Sequence, residues 1–453
     1  MFKLLFHILN LKRAEKFSRN KIIQIREKRF KKLLKHALTH SKFYKEFYGK
    51  EGITLDKLDK VTVKDLPPIN KKIVMENYDD LVCTPDLKKA ELEQFIVDPN
   101  RKMDAYKKKY NIIHTSGSSG KVGIFVYGPR DWSILKALVI TRVTKTPINL
   151  FNKAKLVFIG AVDGHYAGIT LAHSAPKFLF KFLDISISDP LSEINKKIDK
   201  FKPHAISGYA SGADLLAKEQ LKNNIDINPN RIVCSGDALN KKMKESIKEA
   251  FGIEPTNFYA ASESIGMAAE CDKHESLHLF DDWHIFEVVD KDNNFVDIET
   301  PGRLLLTNLY NFTQPLIRYE MNDEIVVDKN RYKCECGWNF PIIKNIAGRS
   351  EEFLWFKKED GGKEFIHPLV LVEFYVPGLQ KFQFEQVERN HLKMKAIIEG
   401  NKDEILKACQ ERMKEILHTK KLENDVKLDV EVVDNIENDP KTGKFKLIIP
   451  LKA

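Results

Sequence analysis

A loop of glycine and hydroxyl residues is the first feature of this 453-residue chain that could do chemistry. Two segments that predict strands, 110–114 and 123–127, flank it, and it runs Thr115-Ser116-Gly117-Ser118-Ser119-Gly120-Lys121. Its small side chains allow backbone N–H groups and hydroxyls to converge on phosphate oxygens, and Lys121 adds a mobile positive charge. Val122 follows the lysine, where a Walker loop requires Ser or Thr. Taken alone, the loop fits either another kind of phosphate site or a plain surface turn.

Four thiol and imidazole side chains form a second set that could do chemistry: Cys271, His278, Cys334 and Cys336. Their number and type match a tetrahedral structural Zn²⁺ site, and the Cys-x-Cys pair is similar to one knuckle of a zinc ribbon. His274 is an alternative to His278 as the nitrogen ligand, and the cysteine pair could instead be free thiols on a β-turn. With four protein ligands no coordination position stays open, so a metal here is expected to be structural.

The net charge of +10 is confined to the first part of the chain. Residues 1–36 contain eight lysines and four arginines against two glutamates, and this excess accounts for the whole net charge. The rest of the chain is therefore electrically balanced. A nucleic-acid enzyme needs a basic groove along its body, so no nucleic-acid partner is expected.

The segment 1–11 is apolar but too short to span a bilayer, and it lacks a small-residue cleavage site. We expect neither a transmembrane helix nor a signal peptide. Two interpretations of the basic arm, residues 1–40, stay open: a solvated helical arm packed on the first domain, or an amphipathic helix with weak membrane-surface association. Six cysteines in a chain of this length do not suggest a disulfide framework, so a cytoplasmic location is expected.

Predicted strands and helices alternate between residues 154 and 259, which is typical of an α/β domain with mostly parallel strands. Beyond Trp283 short strands with turns predict a β-rich subdomain, 270–345, which would contain the zinc site. After residue 348 two predicted strands flank a charged helix, 403–416. The predicted fold class is therefore α/β, with a large N-terminal domain, 1–348, and a small mobile α+β C-terminal domain, 349–453.

Five motifs follow one another in the order of a known family. This order resembles the adenylate-forming superfamily, and within it the branch of phenylacetate-CoA ligase and its relatives in capsular polysaccharide biosynthesis. The resemblance implies attack of a carboxylate on the α-phosphate of ATP, release of pyrophosphate, and transfer of the acyl group to an acceptor. The motifs are His114-Thr-Ser-Gly-Ser-Ser-Gly-Lys121, Tyr259-Ala-Ala-Ser-Glu263, Pro315-Leu-Ile-Arg-Tyr-Glu-Met-Asn-Asp323, Gly348-Arg-Ser-Glu-Glu-Phe-Leu354 and Thr442-Gly-Lys444.

The resemblance also implies a role for each matching residue. The loop 115–121 would hold the triphosphate, and Glu263 would bind Mg²⁺ through a hard carboxylate oxygen. Asp323 would accept hydrogen bonds from both ribose hydroxyls, and Lys444 would bridge the α-phosphate and the substrate carboxylate. The other implied positions are Tyr259, Ala260 and Ser262 against adenine, Ser235, Gly236 and Asp237 on the other side of the nucleotide, Arg349 at ribose or phosphate, and Glu351 at the domain hinge.

Several of these residues have a second interpretation. Tyr259 could be a core ring, Glu263 a helix-start carboxylate, and Arg318 either a nucleotide partner or an ion-pair residue. Some relatives of phenylacetate-CoA ligase carry a Cys/His zinc cluster in the region of Cys271 and Cys334, which favours the metal interpretation there.

The acid and the acceptor are less well defined. The acyl pocket is expected to be lined by His165, Tyr166 and Tyr209, with a buried core histidine as an equally good interpretation of His165. Residues 361–368 depart from the segment that the phenylacetate branch has after the hinge. Coenzyme A is the expected acceptor, with a carrier-protein thiol, an amine or a sugar as alternatives. A non-catalytic nucleotide-binding scaffold is a further alternative, and the oligomeric state stays open, a dimer included.

Overall fold

A computed structural model describes residues 2–101, 104–115, 122–145, 153–175, 177, 180–273, 276–329, 332, 334–347, 354–367, 370–371, 374, 376–437 and 446–451. Its helices are α1 (Phe2–Ala14), α2 (Arg19–His40), α3 (Lys42–Gly49), α4 (Lys71–Glu76), α5 (Tyr78–Leu81), α6 (Lys89–Val97), α7 (Pro129–Leu138), α8 (Ala167–His173), α9 (Leu191–Phe201), α10 (Ala210–Leu221), α11 (Lys241–Phe251) and α12 (Lys402–Thr419). A π-helical segment, Val139–Thr144, extends α7, and 3₁₀ turns occur at Leu55–Lys57, Val63–Asp65 and Pro99–Arg101. Among the described residues, no helix combines the length and the apolar character that crossing a bilayer requires.

The strands of the same residues fall into four sheets. They are β1 (Asn111–His114), β2 (Ile124–Tyr127), β3 (Ala154–Gly160), β4 (Phe180–Ser186), β5 (Ala205–Gly208), β6 (Arg231–Cys234), β7 (Thr256–Tyr259), β8 (Ala268–Glu270), β9 (Leu277–Leu279), β10 (His284–Val289), β11 (Pro301–Asn308), β12 (Tyr319–Val327), β13 (Ile342–Ala347), β14 (Leu354–Lys357), β15 (Lys363–Ile366), β16 (Leu379–Glu388), β17 (His391–Ile398), β18 (Lys427–Val432) and β19 (Ile448–Ile449).

Parallel strands form one half of the main sheet. β4, β3, β5, β6 and β7 pair in that order, all in parallel, and helices α9, α10 and α11 connect successive strands. The strand residues Val157, Ile206 and Ile232 are buried because helices cover the sheet. The predicted alternation of strands and helices is confirmed, and with it the α/β class.

Antiparallel strands continue the same sheet without a break. Its full order is β10-β11-β12-β13-β9-β8-β7-β6-β5-β3-β4. The β-rich region that the sequence predicts over 270–345 is thus the antiparallel half of an eleven-stranded sheet. It shares its hydrophobic core with the helices before residue 100, because Phe280 and Phe340 belong to the same buried cluster as Phe30.

The residues from 354 onward have a sheet and a core of their own. Strands β18, β17, β16 and β19 form the sheet, and the side chains of Phe384, Met394 and Met413 fill its core together with α12. The predicted helix 403–416 is confirmed as α12. Lys420, which is buried, donates hydrogen bonds to the carbonyl of Ile187 at 2.9 Å and so attaches this layer beside the end of β4.

Arginines attach the helical arm to the rest of the protein. Arg19 donates to both carboxylate oxygens of Asp281, at 2.9 and 2.5 Å, and the guanidinium of Arg29 lies 3.4 Å from the ring centroid of Trp283. Ser18 caps α2 by accepting a hydrogen bond from a backbone N–H of its first turn. The arm therefore packs on the large domain.

Candidate active site

The candidate site lies at one edge of the parallel half of the sheet. Strands β3, β5, β6 and β7 run in the same direction, so their carboxyl ends meet at this edge. The segments that follow the strands carry Tyr166, Tyr209, residues 235–237 and residues 260–263. In open α/β sheets ligands bind in the crevice outside the carboxyl ends of the strands. The topology therefore brings four of the sequence-predicted segments to one crevice.

The Gly/Ser loop connects the two strands of a β-hairpin, and Thr115 bonds across the hairpin where the loop begins. Strands β1 and β2 pair antiparallel, His114 opposite Ile124. The backbone N–H of Thr115 donates to the carbonyl of Gly123 at 2.9 Å, and its Oγ1 accepts from the N–H of Gly123 at 2.9 Å. These two hydrogen bonds fix the base of the loop, while residues 116–121 lie outside the described part of the chain.

Lys71 is a site residue that the sequence did not reveal. It is the first residue of α4, and its Nζ donates to Thr115 Oγ1 at 3.0 Å. A Cβ atom at Gly123 would lie 2.9 Å from Cε of this lysine. The glycine therefore leaves room for the lysine side chain to reach the loop. Burial lowers the pKa of Lys71, and the charge of Glu263 opposes that shift. A half-buried ammonium group thus stands at the base of the loop.

The carboxylate of Glu263 lies near this lysine, and that of Asp323 lies near Glu263. Burial raises the pKa of Glu263, and the nearby charge of Asp323 raises it further, whereas Lys71 lowers it. The hydroxyl of Tyr319 donates to Oε1 of Glu263 at 3.4 Å. Two close carboxylates in a half-buried setting are costly unless a cation lies between them. Carboxylate oxygens are the ligands that Mg²⁺ prefers, so this pair fits a divalent ion.

Tyr259, at the end of β7, is joined to the same group. Its hydroxyl donates to Oδ2 of Asp323 at 2.7 Å, and burial, together with the charge of Asp323, raises the pKa of that hydroxyl well above its usual value. Ala260 and Ser262 follow in the turn, and the carbonyl of Ser262 accepts from a buried tyrosine of β2 at 2.9 Å. The structure therefore brings Tyr259, Ala260, Ser262, Glu263 and Asp323 together.

Asp237 makes hydrogen bonds to the start of helix α10. Its Oδ1 accepts from the backbone N–H of Ala210 at 2.5 Å, and its Oδ2 accepts from that of Ser211 at 3.1 Å. A carboxylate at a helix N-terminus satisfies free N–H groups and complements the helix dipole, so Asp237 caps α10. Ser235 and Gly236 precede it at the crevice. Gly236 has a φ of 86°, and a Cβ there would lie 2.7 Å from the ring of Tyr209.

Two of the three expected pocket residues, Tyr166 and Tyr209, lie at the crevice, whereas His165 does not. The ring of His165 is buried against Phe95 of α6, with 4.9 Å between ring centroids, and burial lowers its pKa. Tyr166 instead lies beside His114 at the end of β1, with 4.6 Å between centroids. Tyr209 directly follows β5, the strand that pairs with β3. The structure thus leaves the two tyrosines at the crevice and turns the imidazole of His165 toward the helical layer.

Arg318 supports the site without facing a nucleotide. Its Nε donates to both oxygens of Glu287, at 3.2 and 3.1 Å, and its Nη1 donates to the carbonyl of Leu66 at 2.7 Å. The pair is buried, so the interpretation of Arg318 as a ribose or phosphate partner is replaced by that of an interior ion pair. Because its carbonyl also accepts from the N–H of Ile69 at 3.1 Å, Arg318 holds the segment that leads into Lys71.

The four predicted metal ligands converge at the antiparallel half of the sheet. The ligand atoms of Cys271, His278, Cys334 and Cys336 all lie within 4.8 Å of one another. Sγ of Cys271 lies 3.6 Å from Sγ of Cys334, and Nε2 of His278 lies 3.5 Å from Sγ of Cys336. A tetrahedron with Zn–S bonds of about 2.3 Å has sulfur–sulfur edges of about 3.8 Å, so the spacing fits.

Burial sets the protonation state of these thiols when no ion is bound. Burial raises the pKa of Cys336 to about 12 and raises that of Cys271. Buried thiols without a cation therefore stay protonated, whereas a bound Zn²⁺ deprotonates them. The three cysteines and the histidine lie just after β8, on β9 and in the 334–336 turn, so an ion bound by all four would fasten that edge of the sheet.

Known proteins are similar to this chain in sequence or in fold. Protein CapK of Staphylococcus aureus is 23% identical over 411 residues, which cover 87% of this chain and 83% of that protein. Phenylacetate-coenzyme A ligase of Thermus thermophilus is 23% identical over 354 residues, which cover 75% of this chain and 73% of that protein. A structure of 2-hydroxyisobutyryl-CoA ligase in complex with 2-HIB-AMP and CoA superposes with a TM-score of 0.65 and 19% identity, covering 97% of this chain and 91% of that chain. The chain is thus similar in sequence to both proteins over most of its length, and similar in fold to the ligase structure. No protein-family model matches it.

Some residues that the adenylate-forming resemblance implies lie outside the described part of the chain. They are the loop interior Ser116, Gly117, Ser118, Ser119, Gly120 and Lys121, together with Arg349, Glu351, Lys444 and the alternative metal ligand His274. Their roles stay predictions. Lys71 had no signal in the sequence beyond its place at a helix start, because one lysine among 74 basic residues is not distinctive.

Proposed function

We propose that the chain is an AMP-forming ligase that uses ATP to activate a carboxylic acid as an acyl-adenylate. The observation that carries the proposal is the hydrogen bond between Lys71 Nζ and Thr115 Oγ1, which lies beside the carboxylates of Glu263 and Asp323. Adenylation brings a carboxylate and a triphosphate together, so the site must supply cations to offset their repulsion. A lysine at the phosphate loop and an acidic pair suited to a metal meet that requirement.

In the proposed reaction an oxygen of the substrate carboxylate attacks the α-phosphorus of ATP. The bond from that phosphorus to the bridging oxygen breaks, and pyrophosphate leaves with the bonding electrons. Lys71, positioned by Thr115, places positive charge at the triphosphate, and Lys121 and Lys444 add to it. Mg²⁺, held by Glu263, would supply the charge that neutralises the phosphate oxygens.

Asp323 is proposed to orient the nucleotide through its ribose. Tyr259 holds the carboxylate by one oxygen, and an ionised carboxylate has about four lone-pair sites, so acceptor capacity is left for two vicinal hydroxyls. Tyr259 itself, with Ala260 and Ser262, would line the adenine. Ser235 and Gly236 would form the other side.

The proposed acceptor is the thiol of coenzyme A. Its sulfur would attack the acyl carbonyl, and AMP would leave with its phosphate oxygen as the leaving group. Rotation of the C-terminal module about Glu351 would switch the protein from adenylation to acyl transfer. A carrier-protein thiol, an amine or a sugar are alternative acceptors, and a non-catalytic nucleotide-binding scaffold is the alternative outside catalysis.

A pyrophosphate-exchange screen tests the proposal. The full chain is incubated with ATP, Mg²⁺ and labelled pyrophosphate, and aromatic, fatty, hydroxy and amino acids are added one at a time. We expect at least one acid class to support exchange, and Glu263→Gln to abolish it. Coenzyme A-dependent AMP release then identifies the acceptor. If no acid supports exchange while the protein still binds ATP, the scaffold alternative replaces the ligase.

We also propose that Cys271, His278, Cys334 and Cys336 hold one structural Zn²⁺. The sulfur spacing of 3.6 Å and the approach of all four ligand atoms to within 4.8 Å of one another support the site. A reducing cytoplasm is the location that keeps such thiols available. Elemental analysis of the purified chain should give one zinc per chain, and a content below about half a zinc would contradict the proposal, since a structural site is normally filled.

A further inference from the structure

Helix α1 carries a cluster of exposed apolar side chains. One side of the helix packs on the protein, where Ile8 and Leu11 are buried. The opposite side leaves Leu5, Phe6 and Leu9 exposed by 50%, 62% and 51%. Single exposed apolar residues are ordinary, but three on adjacent turns of one helix form a contiguous patch. The patch is a surface that some partner would cover.

The same side of α1 becomes basic in its last turns. Lys12 and Arg13 are exposed there, and Lys16 is exposed just beyond the helix. The following helix, α2, adds exposed lysines at helical spacing. These are Lys21, Lys28, Lys32 and Lys35.

The arginines of α2 serve a different purpose from its lysines. Arg19 and Arg26 pair with Asp281, and Arg29 pairs with Asp282, so these three cations are turned inward. The arm is thus fastened to the domain, and its lysines and apolar patch are presented on a surface that is already ordered. A partner that binds this surface does not have to order the arm first.

We propose that α1 docks the protein on an anionic lipid bilayer. Leu5, Phe6 and Leu9 enter the headgroup and acyl boundary, and Lys12, Arg13 and Lys16 face the lipid phosphates. An interfacial helix combines one apolar face with flanking lysines and arginines, and it binds through buried apolar area and attraction to anionic lipid. The exposed Lys12, Arg13 and Lys16, together with the exposed lysines of α2, give the matching electrostatic attraction. The inference does not depend on the proposed function, because none of these residues lies at the candidate active site.

Vesicle sedimentation of the full chain tests the apolar part. The probes are vesicles of phosphatidylglycerol mixed with phosphatidylcholine and vesicles of phosphatidylcholine alone. We expect binding to the anionic vesicles only, weakened by added salt. Replacing Leu5, Phe6 and Leu9 with serine should lower the partition coefficient about tenfold. The matched control replaces Leu55, Val97 and Phe295 with serine, which are exposed by 49%, 77% and 51% elsewhere, and should bind as the parent does.

A second pair of variants tests the charge. Lys12→Gln, Arg13→Gln and Lys16→Gln should each weaken binding to anionic vesicles about fivefold. The same change at the exposed Lys72, Lys241 and Lys407 is the control and should leave binding unchanged. Equal binding to both vesicle types, no binding at all, or equal loss in patch and control variants would overturn the proposal. If the serine variant instead halves the mass in solution by light scattering, the patch is an interface between copies of the chain and the lipid proposal fails.

Discussion

Replacing Lys71 with methionine separates a functional lysine from a structural one. Methionine keeps the unbranched apolar stem and removes the ammonium group. Burial lowers the pKa of Lys71, which means that the folded protein disfavours its charged form. Removing the charge relieves this burial cost but also loses the hydrogen bond from the ammonium group to Thr115 and the attraction to Glu263, so the melting temperature should change little.

The cost should appear in catalysis instead. Loss of one preorganised charge at a developing anion lowers kcat by about 10²- to 10³-fold in enzymes of known mechanism. A factor of about 100 corresponds to about 2.7 kcal/mol of lost transition-state stabilisation. The assay is pyrophosphate exchange at saturating ATP, with thermal unfolding of the same preparation.

Lys72→Met is the matched control for this variant. Lys72 is the next residue on α4, its side chain is 70% exposed, and it makes only a 4.0 Å surface pair with Glu76. We expect its activity and melting temperature to match those of the parent. A loss of activity of less than about threefold is smaller than the contribution of one charged contact. If Lys71→Met shows such a small loss, the assignment of Lys71 to the phosphate site is refuted. If activity and melting temperature fall together, the lysine is structural.

Three further outcomes follow from the same account. Lys444→Ala should abolish adenylation while leaving ATP binding, measured by calorimetry, largely intact, and unchanged turnover would contradict its proposed role. Glu263 has a raised pKa, so the unliganded protein should lose stability as pH rises from the ordinary carboxyl range through that raised value. Glu263→Gln should remove this dependence of stability on pH. The melting temperature of the variant relative to the parent should therefore be higher at alkaline than at acidic pH. A difference in melting temperature that does not change with pH would show that the carboxyl is not buried with Asp323. Cys334→Ser should reduce zinc content and lower the melting temperature, whereas Cys83→Ser, a thiol away from the cluster, should keep the zinc.

Local patterns predicted the elements of this fold better than they predicted its contacts. Apolar periodicity located α2, β3 and α12, because burial of one face is written into neighbouring residues. It did not locate β8 or β9, strands of three residues that are too short for any period. Nor could it show that the antiparallel strands extend the parallel sheet, since strand pairing joins residues far apart in the chain.

The site shows the same division. The cysteine and histidine ligands could be found from sequence because those residue types are rare, and the structure brings their atoms together. Lys71 could not be found from the sequence, because its contact to Thr115 spans 44 residues and lysine is common in this chain. Asp237 was assigned by its place in a motif, but the N–H groups of α10 compete for its carboxylate and hold it. The sequence cannot rank such competing partners.

The central claim is that ATP is cleaved between its α- and β-phosphates by a carboxylate. The direct measurement is mass spectrometry of the quenched reaction of the full chain with ATP, Mg²⁺ and a carboxylic acid that supports exchange, without coenzyme A. The account predicts an acid-dependent acyl-AMP and pyrophosphate, formed about 100-fold more slowly by Lys71→Met and not formed by Glu263→Gln. Acid-dependent ADP with no acyl-AMP would contradict it.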